Sequence, residues 1–89
     1  MVQILMVHLD PPAANESHIT SVRWYNPEDG QISVATRSVM VDFIRGGGTV
    51  YAFDGRNRSE VEVAEVLPTP YIRVRPDSAI GSLLALPKF

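Results

Sequence analysis

The chain has no cysteine in its 89 residues. Disulfides, thiolate metal sites and thiol nucleophiles are therefore all excluded, and the composition suits a reducing compartment. Histidine occurs only at His8 and His18, with no spacing that would set two ring nitrogens on one face beside a carboxylate, so no zinc set is assembled. Basic charge is also scarce. Eight Lys and Arg stand against ten Asp and Glu for a net charge of -2, the wrong sign for a protein that would bind by neutralising phosphates. Long apolar runs are missing too: the opening run Val2 to Leu9 is far short of the roughly 20 residues of a membrane-crossing helix. It has no basic stretch before it and meets Asp10-Pro11-Pro12 without a small-residue cleavage site. The chain is expected to be cytoplasmic, with no membrane association. On that footing the sequons at Asn15 and Asn57 are chance matches.

What is present suffices for one domain. Hydrophobic residues make up 45% and charged residues 20%, a globular balance, and a chain of this length has room for a single core. Val2 to Leu9, at strand length and almost wholly apolar, reads as a strand interior to a sheet. Asp10 to Ser17 is a loop. His18 to Tyr25 is rich in β-branched and aromatic residues and reads as a second strand, which Asn26-Pro27-Glu28-Asp29-Gly30 turns back into an antiparallel partner at Ile32 to Ala35.

Thr36 is an N-cap residue for one helix of about ten residues ending at Gly46. Its apolar stripe reads as Val39, Met40, Phe43 and Ile44, with Arg37, Ser38, Asp42 and Arg45 on the wet side. Gly46-Gly47-Gly48 follows the helix rather than preceding it, which fits a helix stop and not a phosphate loop. Thr49 to Asp54 is a strand, Asp54 to Arg58 a hairpin turn, and Glu60 to Val63 alternates in and out. The phase then slips toward Ala64 and Val66, predicting a bulge or burial on both sides. Tyr71 to Arg75 is the last strand, and the leucines of the segment Ile80 to Phe89 must be covered, by an extended strap in cis or in trans. The expected fold is α+β, a mainly antiparallel sheet of five or six short strands with one helix packed on one face.

The residues His18-Ile19-Thr20 with Val22 and Trp24, Thr36-Arg37 with Met40-Val41, Pro70-Tyr71-Ile72-Arg73, and Leu83-Leu84-Ala85-Leu86-Pro87 follow one another in a pattern spanning most of the chain. In this the sequence resembles a small domain family of unknown function found in bacterial and bacteriophage genomes. Val74 and Gly81-Ser82 stand where that family often has Thr and Asp-Asn, so polar roles at those positions do not carry over. The resemblance implies one compact domain, no transferable catalytic activity, and an accessory protein acting on a host protein. It does not extend to the histidine-triad hydrolases, which need more histidines than two.

No Gly-x-Ser-x-Gly elbow or oxyanion motif accompanies Ser17 or Ser21. No catalytic residue, metal or cofactor is therefore assigned. The candidate interaction residues are Trp24 and Tyr25, which face opposite ways on one strand, and the arginines Arg56, Arg58, Arg73 and Arg75. Glu65 is expected opposite Arg73 and Glu62 near Arg75, which would neutralise part of this basic set. The favoured function is a non-catalytic module binding another protein or its own copy as a homodimer, through a sheet edge or the aromatic and arginine surface. The alternative is a nucleic-acid contact through Arg56 and Arg58.

Overall fold

A computed structural model describes residues 1–66 and 68–89. Six strands and one helix follow in the order β1 (Val2–Leu9), β2 (Ile19–Asn26), β3 (Gln31–Thr36), α1 (Arg37–Arg45), β4 (Val50–Phe53), β5 (Arg58–Ala64) and β6 (Tyr71–Val74). They form one sheet in the order β3-β2-β1-β4-β5-β6. The expected α+β class is present, with one helix and a mostly antiparallel sheet. The exception is the central pair: β1 and β4 run parallel, Val2 to Ile4 beside Val50 to Ala52. Two antiparallel meanders are thus joined through α1, because parallel neighbours need a crossover long enough to return the chain over the sheet.

The apolar run of β1 fits its central place. Val2 and Ile4 are buried, and so is Val7, although strict alternation would put Val7 on the opposite face. An irregularity between Ile4 and Met6, opposite Trp24 and Arg23, restores the phase. At β5 the pairing with β6 stays regular through Ala64 opposite Tyr71, and Ala64 is buried. Burial on both sides, not a bulge, accounts for the phase slip there.

Thr36 caps α1, its Oγ1 accepting from the Val39 N–H at 3.4 Å. At the other end the Gly47 N–H donates to Ile44 O and the Gly48 N–H to Phe43 O, a Schellman pair that needs a left-handed residue, supplied by Gly47 at φ 98°. The buried face of the helix differs from the expected stripe. Met40 and Val41 are buried and Ile44 packs against the core, whereas Val39 is 55% and Phe43 42% exposed. Val39 and Phe43 instead line an open groove with Met1, Val2, Trp24 and Asn26, at the end of the sheet where β1 begins and β2 ends. Phe43 lies over Gly48, where any Cβ would fall within the ring's own volume. Arg37 is also not simply solvated: its Nη1 donates to Ser17 O at 2.8 Å.

The C-terminal segment is a strap in cis. Ile80, Leu83 and Leu86 join the same core cluster as Ile4, Val22, Met40 and Ile72. Beyond Ile4, where β4 no longer accompanies β1, the strap takes the place beside it. Val7 N–H donates to Pro87 O at 3.0 Å and Phe89 N–H to Val7 O at 3.1 Å. One 3-10 turn, Leu83–Ala85, is capped by Ser82. Glu16 ties the strap to β6, its Oε2 accepting from Leu83 N–H at 3.1 Å and Val74 N–H at 3.4 Å.

Candidate interaction surfaces

The six residues singled out from the sequence do not form one patch. Trp24 lies on the helix side of β2, beside Ala35, Met40 and Phe43, while Tyr25 points to the open face of the sheet, as alternation requires. Tyr25 belongs to a row running across that face. It is opposite Ile32 on β3 and Gln3 on β1, Gln3 is opposite Tyr51 on β4, and Tyr51 is opposite Glu60 on β5.

The arginines of this face are largely engaged. Arg73 sits directly opposite Glu62 with Nε 2.8 Å from Oε2, and Arg75 Nε lies 3.3 Å from Glu60 and 3.5 Å from Glu62. The expected cross-strand ladder therefore exists in a different register, since Glu62 rather than Glu65 faces Arg73. Glu65 instead holds Arg45 of the helix through two hydrogen bonds, Nε to Oε1 at 3.0 Å being one. That contact lowers the Glu65 carboxyl from its ordinary range and raises the Arg45 guanidinium. Arg58 stacks on Tyr51, 4.9 Å from the ring centroid. Arg56 stands at the tip of the β4–β5 turn, and its exposed side chain forms no ion pair among the described residues. The turn itself is held by Asp54, whose Oδ1 accepts from Asn57 and Arg56 N–H at 2.7 and 2.8 Å. Those donors, Asn57 foremost, pull its carboxyl below the usual value.

Both histidines have structural partners. His18 Nδ1 accepts from Ala14 and Asn15 N–H at 3.0 and 3.2 Å. His8 reaches the strap, its Nδ1 bonded to the Phe89 backbone oxygen and its ring 5.6 Å from the Phe89 ring. Among the described residues no cluster of His, Asp and Glu is arranged to hold a metal ion, and no helix is long and apolar enough to cross a membrane.

The contrast between the two sheet edges is what sequence reasoning missed. β6 is four residues long, follows Pro70 and precedes Pro76 by one residue, and carries Arg73. Its Val74 N–H is already taken by Glu16. These are the devices by which proteins blunt an edge against pairing with other chains. β3 has only one of them, at its first residue, where Gln31 N–H donates to Asp29 Oδ1 at 2.9 Å. Its six residues, Gln31–Thr36, contain neither charge nor proline, and among the described residues no strand neighbours its outer side.

Both faces beside β3 are apolar. Ile32 and Val34 project on the open face at 60% and 51% exposure. On the helix side, Val39, Met40 and Phe43 line a groove with Met1, Val2, Trp24, Asn26 and Ala35, which reaches from β3 over β2 to the start of β1. The sequence did hold a signal, because a charge-free strand with three β-branched residues on one face, Ile32, Val34 and Thr36, lacks the gatekeepers an edge normally carries. That signal has meaning only once β3 is known to be an edge. No protein-family model matches the chain, and comparison with curated proteins and with solved structures finds no significant match.

Proposed function

We propose that the domain is a non-catalytic protein-interaction module that receives an extended strand of another chain along the outer side of β3. The observation that carries this reading is the asymmetry of the edges: β6 is short and occupied by Glu16, while β3 is longer, uncharged and flanked by exposed Ile32 and Val34. Strand addition takes its affinity from main-chain hydrogen bonds and its specificity from where alternate side chains land. Alternate residues of an incoming strand would meet Ile32 and Val34 on one face. Those between would lie beside Ser33 and Ala35 on the helix side.

The resemblance to a bacterial and bacteriophage domain family supports an accessory role on a host protein in the cytoplasm. A nucleic-acid contact is less well supported, since Arg58 is stacked on Tyr51 and Arg73 and Arg75 are paired with glutamates. Only Arg56 of that set stands clear.

Val34→Lys tests the module directly. Val34 is half exposed on an edge strand, so the substitution is expected to leave the unfolding free energy within about 0.5 kcal/mol, while setting a solvated charge where the added strand would pack. Wild-type and variant proteins, immobilised in nuclease-treated extract of the native cell, are compared by mass spectrometry. A discrete protein, its own chain included, is expected on the wild type and reduced at least about tenfold on the variant, the equivalent of about 1.4 kcal/mol. Equal retention on both would overturn the proposal.

A further inference from the structure

We infer that the strand added at β3 is β3 of a second copy, in a two-fold antiparallel pairing centred on Ser33. This rests on the reading of β3 as the interaction edge and names its occupant. If two copies extend one sheet across a two-fold axis perpendicular to it, residues directly opposite must lie on the same face, so the axis must pass through a residue pair and not between residues. With the centre at Ser33, Ile32 of each copy faces Val34 of the other, and both exposed apolar residues are covered twice. With the centre at Ile32, Val34 would face Gly30. With the centre at Val34, Ile32 would face Thr36. Only Ser33 matches each exposed apolar side chain with the other.

Charge is compatible with this pairing. The turn before β3 carries Glu28, held by the N-terminal ammonium at 3.3 Å, and Asp29, whose Oδ1 accepts from Gln31 N–H at 2.9 Å. The far end of β3 runs into the start of α1 at Arg37, which donates to Ser17 O. An antiparallel copy therefore sets the acidic turn of each β3 toward the basic helix start of the other, opposite charges at the two ends as an isologous interface needs. Because the β6 edge is blocked by Glu16, the assembly closes at two copies. A six-residue ladder falls near the lower end of specific interface sizes, roughly 1,200 Å² in total, so dissociation in the micromolar range is expected.

The absence of cysteine allows a clean test. Ser33→Cys would place two thiols across the two-fold axis, where opposite Cα atoms are about 4.5 to 5.5 Å apart, within disulfide reach. Sedimentation equilibrium of the pure wild type, from about 5 to 500 µM to bracket such an affinity, is expected to show the mass rising from 9.8 kDa to twice that value. Val34→Lys should raise the dissociation constant at least about tenfold. Under mild oxidation Ser33→Cys should form covalent dimer at least about tenfold faster than Arg56→Cys, a control at the exposed hairpin tip. A monomer throughout, or equal cross-linking at the two positions, overturns the inference. A monomeric pure protein that still retains another protein through Val34 leaves the module reading standing and removes only the second copy. A protein that does neither removes both.

Discussion

Removing residues 82–89 is expected to unfold the domain at ambient temperature or leave it barely stable. Leu83 is 0% and Leu86 1% exposed, and both belong to the cluster that contains the central strands. Burying two leucines is worth about 3 to 6 kcal/mol before ordering costs, a large share of the roughly 5 to 15 kcal/mol by which a typical domain is stable. Deletion would also strip Val7 of both ladder bonds to the strap and take Leu83 N–H from Glu16. Leu83→Ala alone should cost about 2 to 5 kcal/mol. Chemical denaturation of the two variants checks this. A melting temperature within a few degrees of the wild type after truncation would show that the strap does not cover the core.

A second large effect separates two positions on α1. Met40→Ala is expected to destabilise by about 2 to 5 kcal/mol, because Met40 is 3% exposed and its removal leaves a cavity. Phe43→Ala should cost about 1 kcal/mol or less, since that ring is 42% exposed, covering Gly48 and one wall of an open groove. The stripe read from the sequence would have made Phe43 a core residue. Urea unfolding of both variants decides between the two orientations, and a Phe43 loss exceeding that of Met40 would mean that the helix is rotated about its axis.

The elements most legible in the sequence are those set by neighbours in the chain. Thr36 at the helix start, the glycines at its end, the Asp54 turn and the β-branched strands are local chemistry, and each appears where it reads. The strap was legible from composition alone, since Leu83 and Leu86 had to be covered. What depends on distant pairing was not. The parallel contact of β1 with β4, and hence the edge position of β3, follows from how the two meanders dock. The irregularity near Leu5 is hidden in a run where both neighbouring residues are apolar, so the pattern carries no phase. Counting through a turn at Pro68 to Pro70 sets Glu65 opposite Arg73. Glu62 lies opposite Arg73 instead, and Glu65 stands beyond the paired residues, within reach of Arg45. Glu16, in a loop with no periodicity, gave no sign that its carboxylate would bind β6 and the strap together. The candidate site suffered most, because an edge is a property of the sheet and of no single residue.

Amide hydrogen exchange along β3, measured with the protein dilute and again with it concentrated or partner-bound, shows most directly whether another chain adds at this edge. Exchange in residues 31–36 is expected to slow markedly on association, while Tyr71–Val74 of β6 keeps its rate. Slowing confined to β6 or to the hairpin at residues 54–58, with β3 exchanging as fast as in the dilute protein, would contradict assembly through β3.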